Sequence, residues 1–69
     1  MPRYYFDVRW PDRKDDDETG MVLADDAAAR DHAEDLIREM KEGNGHDPGL
    51  TIVVAKAGKV IFTIPFQAV

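Results

Sequence analysis

The sequence contains no cysteine, which excludes disulfide bridges and thiolate zinc sites. Serine is missing too, so the two side chains most often used as nucleophiles are both absent. No apolar run approaches the roughly 18 residues that a membrane span needs. The opening Met1-Pro2-Arg3-Tyr4-Tyr5-Phe6-Asp7 lacks the apolar core of a secretory signal. No membrane association is expected, and no cofactor. Bases are scarce: 9 Lys and Arg stand against 14 Asp and Glu in 69 residues, a formal net charge of -5. That balance argues against a nucleic-acid partner held through its phosphates. The length fits a single domain, residues 1–69, and a domain this small buries only about 60% of its unfolded surface.

The acidity is local. Asp12–Glu18 holds five acids and two bases, and Asp25–Glu42 holds seven acids and three bases. Outside these segments Arg3, Arg9, Lys56 and Lys59 face only Asp7 and Asp47. An acidic loop and an acidic helix thus accompany mildly basic strands. The plain reading is a solvated face that keeps a small protein soluble.

Residues 3–10 alternate, with Tyr4, Phe6, Val8 and Trp10 on one side and Arg3, Tyr5, Asp7 and Arg9 on the other. This period of two, rich in aromatics, predicts a half-buried strand that Pro11 ends. Asp12 to Gly20 reads as a polar turn, and Met21-Val22-Leu23 as a short second strand pairing back on the first. Asp25 is the expected N-cap of a helix. Ala29, Ala33, Leu36, Ile37 and Met40 form its apolar stripe. Asp26–Arg30, Glu34–Arg38 and Arg38–Glu42 are expected ion pairs on its other faces. Gly43, Asn44 and Gly45 stop the helix, and Pro48 prevents its resumption. Leu50–Ala55 and Val60–Phe66 read as two further strands, joined by a tight Lys56-Ala57-Gly58-Lys59 turn.

The order strand, short strand, helix, strand, strand predicts a two-layer α+β domain, with an antiparallel sheet of three to four strands in spatial order 2-1-3-4. One apolar stripe on one helix covers one sheet face. The expected covered wall is Tyr4, Phe6, Val8 and Trp10, then Leu50, Ile52 and Val54, then Val60, Phe62, Ile64 and Phe66. Alternation leaves Arg3, Tyr5, Arg9, Val53 and Ile61 on an uncovered face, the candidate interaction surface. Self-association to a homodimer through this face or an edge strand is expected, with another protein as the alternative partner.

The chemical motifs are sparse. Asp15, Asp17, Thr19 and Asp26 stand at positions one, three, five and twelve of a calcium-type loop, with Gly20 at six. A strand instead of a helix precedes them, and Leu23 occupies position nine, so a solvated turn competes with a cation-binding one. His32 and His46 have no second ligand at metal spacing. Gly43-Asn44-Gly45 follows a helix where a phosphate loop would open one. Tyr5 between Arg3 and Arg9 is too little aromatic surface for an RNA platform. A non-enzymatic interaction or adaptor module is the expected function.

Three resemblances bear on function. The opening Met1-Pro2-Arg3-Tyr4-Tyr5-Phe6, the acidic turn closed by Gly20, Ala28-Ala29-Arg30 in the helix and the closing Gly58–Phe66 hairpin together resemble a family of short uncharacterised bacterial proteins, a domain of unknown function. That resemblance spans nearly the whole chain and implies a fold and a bacterial, cytoplasmic setting, with no functional residues to carry over. Pro2 before a strand is similar to the tautomerase superfamily, in which an N-terminal proline exposed by loss of methionine acts as general base. The helix follows the first strand less directly here. The strand, acidic glycine turn, strand and helix also look like the small domain of HicB-type antitoxins, which sequester a basic partner. This chain departs from them in its very short second strand and full closing hairpin.

Overall fold

The computed structural model describes all residues except Asn44 and His46. The helix-stop role of Asn44 and the metal reading of His46 lie outside the described residues. The elements run β1 Arg3–Arg9, β2 Lys14–Asp15, β3 Met21–Val22, α1 Asp26–Glu42, β4 Thr51–Lys56 and β5 Lys59–Pro65, followed by a 3-10 turn at Phe66–Ala68. They form a two-layer α+β domain with one helix and an open antiparallel sheet of five strands. β1 lies between β4 on one side and both β2 and β3 on the other, and β5 forms the far edge.

The alternation in β1 is realised. Tyr4 and Phe6 are buried beneath the helix layer, Val8 and Trp10 pack partly against the same core, and Arg3 and Arg9 are exposed. Ala29, Ala33 and Ile37 of α1 are fully buried, with Leu36 and Met40 packed at their flanks. Leu50, Ile52, Val54, Ile64 and Phe66 complete the core, and Phe62 lies half-buried against it. The small alanines let the helix approach closely, while the larger Ile37 is fully buried in the same core.

Local signals explain the helix ends. Asp25 has extended backbone, and its carboxylate accepts the Ala28 N–H at 2.8 Å, the N-cap its position predicts. At the other end the Gly43 N–H reaches the Glu39 carbonyl at 3.1 Å, and the Gly45 N–H reaches that of Met40 at 2.8 Å. These bonds satisfy carbonyls the helix leaves without partners.

Several expectations need correction. The Asp12–Gly20 segment is not all turn, because Lys14 and Asp15 pair with Arg9 and Val8 as a fifth strand. Leu23 lies outside β3, although its N–H still bonds the Pro2 carbonyl at 3.2 Å. Arg30 and Arg38 both pair with Glu34, at 3.4 and 3.6 Å, and Arg38 also reaches Asp35 at 2.8 Å. The expected Asp26–Arg30 pair is not formed, because Asp26 is engaged by the sheet. The fourth predicted strand contains a register shift opposite Val54 and Ala55. Val54 pairs with Phe62 while Ala55 pairs with Val60, so Ile61 is the extra residue of a bulge. Beyond it the alternation inverts. Val60 turns outward at 60% exposure, and Ile61 packs against the core.

Candidate interaction surface

The uncovered face is built from cross-strand rows. Tyr5 pairs with Ala55, which pairs with Val60; Asp7 pairs with Val53, which pairs with Thr63; Arg9 pairs with Thr51. Directly opposed residues share a face, so these rows lie side by side. Arg3 and Val22 extend the first strand's row at the β3 end. Of the five residues assigned to this surface from sequence, Arg3, Tyr5, Arg9 and Val53 are brought together on it. Ile61 is not, because the bulge carries it to the helix side. Val60 takes its place and was missed. The sequence held a signal: counting back from the Ala57-Gly58 turn sets Val60 opposite Ala55, whereas counting from Pro65 sets it opposite the core. Two counts that disagree by one residue imply a bulge.

The centre of the face is low. Val53, between Asp7 and Thr63 in its row, is only 7% exposed although the helix layer lies on the other side of the sheet. The rim is charged. Arg9 approaches Asp7 at 3.9 Å, an exposed pair worth little on its own. The Arg3 guanidinium donates to the Thr19 carbonyl at 2.8 Å, which fixes the loop end beside the face. Gly20 is needed there. Its φ is +73°, and an added Cβ would lie 2.9 Å from both the Arg3 and Tyr5 side chains.

The acidic loop closes the adjacent edge. Asp17 Oδ1 accepts from the N–H groups of Gly20, at 3.0 Å, and Thr19, at 3.1 Å. Its Oδ2 accepts from the Phe6 N–H of β1 at 3.2 Å. The Asp17 N–H in turn donates to Asp7 Oδ1 at 2.8 Å. The carboxylate thus supplies the acceptor that a continuous edge strand would have offered between β2 and β3. The Gly20 N–H is the main reason that the Asp17 carboxyl is held below the usual carboxylate range, against the opposing effect of burial; Phe6 and Thr19 add to it.

This arrangement bears on the cation reading. Asp15 and Asp17 line an open cavity of about 520 Å³ with Phe6, Val8, Asp16 and Glu18, but both Asp17 oxygens are taken by N–H groups. Asp26 is committed elsewhere: its Oδ1 accepts from Tyr4 Oη at 2.7 Å and Lys56 Nζ at 2.8 Å. Among the described residues no group of three or more acids or histidines is placed to hold a metal ion. The four candidate ligands Asp15, Asp17, Thr19 and Asp26 are therefore not gathered.

The Asp26 cluster fastens the helix start to the sheet. Lys56 first and Tyr4 second hold the Asp26 carboxyl below its ordinary range. Burial, then the bond to Asp26, pushes the Tyr4 hydroxyl up to about 12. Tyr4 has no exposed surface, while the Lys56 and Asp26 side chains stay 35% and 47% exposed; the trio ties the start of α1 to β1 and β4. His32 is half-buried, its ring edge-to-face with Phe6 at 4.8 Å. Pro2 is partly exposed and lines neither the acidic cavity nor a second one of about 370 Å³ beside Lys41, Pro48 and Phe66.

The fold and surface define an open-faced, single-helix α+β domain, and among the described residues no group of acids or histidines is gathered to hold a metal. The chain belongs to the DUF6894 family, a domain of unknown function, whose match covers residues 3–67. No curated protein and no solved structure matches it. No helix among the described residues is long and apolar enough to cross a membrane.

Proposed function

We propose that this chain is a small non-enzymatic protein-interaction module that docks a protein on the open face of its sheet. One observation carries the reading: the helix layer lies on one side of the five strands, and the other side offers an apolar row flanked by arginines. Tyr5, Ala55 and Val60 supply the apolar contact, and Arg3 and Arg9 supply charged anchors at the rim. Tyrosine and arginine are the residue types that dominate such contacts. The occupant is a second copy or another protein, and the setting we infer is the bacterial cytoplasm. Tautomerase chemistry at Pro2 and an antitoxin-like role rest on sequence resemblance alone.

The test is a charge reversal on each layer. Arg9→Glu alters the open face, and Asp31→Arg alters the exposed side of α1; both sites are solvent-facing and should leave the circular dichroism spectrum unchanged. A partner retained by tagged wild-type protein from its host should be lost from Arg9→Glu and kept by Asp31→Arg. Equal retention by both variants overturns the open face as the docking surface.

A further inference from the structure

We propose that two copies of this chain join through β5, antiparallel about Thr63, to make one continuous sheet. This deepens the interaction reading by naming an occupant and a place, and it uses the strand edge, not the open face.

The backbone sets the geometry. The Phe66 N–H reaches the Leu50 carbonyl at 2.9 Å, and Ile64 and Phe62 stand opposite Ile52 and Val54. In an antiparallel ladder alternate residues point their N–H and C=O to the same neighbour. Phe62, Ile64 and Phe66 therefore face β4, and Thr63 and Pro65 face outward, up to the bulge at Ile61 where the alternation ends. Among the described residues nothing bonds to this outer edge. Pro65, which has no N–H, occupies an outward position, as proline in a sheet must.

A two-fold axis through Thr63 makes this edge self-complementary. The two Thr63 residues exchange both of their backbone bonds. Phe62 comes opposite Ile64 on the helix side, an apolar pair. Charge selects the antiparallel arrangement. Lys59 is the sole ionisable residue of β5 and lies at its start. Antiparallel pairing about Thr63 separates the two Lys59 residues by roughly 25 Å, beyond the screening length of about 8 Å. Parallel pairing would set them side by side. The helix residue over this edge is not a bare acid: the Arg30 guanidinium lies 5.8 Å from the Phe62 ring and pairs with Glu34 at 3.4 Å. The opposite sheet edge offers no equivalent, since Asp17 fills its gap and acids line it.

The contact is small and reversible, because Pro65 withholds a donor on each side and the bulge shortens the straight run. Its consequence is bivalence. A two-fold axis perpendicular to the sheet leaves both open faces on one side, so the dimer presents two docking faces together.

Sedimentation of the wild-type chain from low to several hundred micromolar should show growth from 7.8 kDa toward twice that mass. Thr63 is exposed, so Thr63→Lys and Thr63→Glu should fold normally while placing like charges about 5.5 Å apart across the axis. Each alone should weaken association about tenfold, and an equimolar mixture of the two should restore it. The Thr63 amide should gain hydrogen-exchange protection with concentration. A constant 7.8 kDa mass overturns the proposal. So does a dimer that both charged variants leave intact, or a wild-type monomer that takes up an unrelated strand peptide at Thr63. Thr63 also ends a row of the open face, so the protection of its backbone amide, which a contact through the face would leave unchanged, is what separates failure of the edge from failure of the open face.

Discussion

One edge of the sheet is made of two short strands, β2 and β3, with the Asp17 carboxylate filling the gap between them. The other is a continuous strand of seven residues without an acid. On the first edge a side chain replaces backbone, negative charge surrounds the site, and a further strand finds no regular row of groups to pair with. On the second the backbone row, between a lysine and a proline, is broken only by the bulge at Ile61. Unpaired edges invite pairing, and proteins blunt them with charge, proline and bulges. This chain applies charge and interruption to one edge, and bulge and terminal proline to the other. The difference is one of degree of closure, and it locates where the molecule can still grow.

The comparison assumes that both edges hang on one core, and the largest perturbation tests that. Ile37 has no exposed surface and makes contact through α1 with the sheet's core. Ile37→Asp buries an unpaired carboxylate at a cost of several kcal/mol, comparable to the total stability of a domain this size. The expected result is loss of a cooperative urea transition, with amide protection vanishing from β5 and from the β2–β3 edge together. Survival of either edge alone would split the domain into independent parts.

Asp17→Ala breaks one edge only. It strands the N–H groups of Phe6, Thr19 and Gly20, a loss of about 2–4 kcal/mol. Hydrogen exchange should accelerate first at those three amides. The same group gives a pH signature. Asp17 and Asp26 both have carboxyls held below their ordinary range in the fold. Their stabilisation is therefore complete above the unfolded value of about 3.9, and it is lost as pH falls through the depressed folded values. Acid titration of stability should show this decline, and Asp17→Asn should flatten it. β5 contains no carboxylate, so its amides should report acid only through global unfolding.

Tyr4 tests the strand that both edges share. Its hydroxyl is pushed up to about 12. The unfolded chain therefore releases that proton near pH 10 while the folded chain retains it. Stability is complete below about pH 10 and falls as pH rises toward 12. Tyr4→Phe should remove that alkaline slope and lower stability by about 1 kcal/mol through the lost bond to Asp26. An unchanged slope would mean that another group carries it.

The layers and strand order were legible in the sequence because periodicity encodes them. Tyr4 and Phe6, the Ala29–Ala33–Ile37 stripe and Ile52 with Val54 each repeat at the spacing of their element, and burial follows spacing. The Asp25 cap was legible because its donor lies three residues away. What escaped was non-local. Nothing in Lys14-Asp15 marks a strand, since the pairing depends on Val8 and Arg9 lying opposite. Asp17 reads as one acid among several until the Phe6 N–H is set beside it. Asp26 reads as the ion-pair partner of Arg30, yet Tyr4 and Lys56 from two different strands claim it. The bulge at Ile61 stood in the conflict between two register counts, which alternation within one strand cannot resolve.

The smallest effect lies at the turn that leads into β5. Ala57 has φ 53° and Gly58 φ 78°, the pair of positive angles that a two-residue hairpin of the favoured hand requires. Glycine adopts this freely, but alanine there costs roughly 1 kcal/mol. Asparagine tolerates the left-handed region and is the preferred residue before glycine in such turns. Ala57 is exposed, so Ala57→Asn changes no packing. It should stabilise the chain by about 0.5–1 kcal/mol, seen as a higher urea midpoint with an unchanged slope. The distribution of that gain sharpens the comparison between edges. If β5 amides gain protection while those beside Asp17 do not, the open edge frays independently of the closed one, and fraying competes with strand addition at Thr63. If all amides gain equally, the sheet opens as one unit, and the difference between its edges lies only in what each presents to a neighbour.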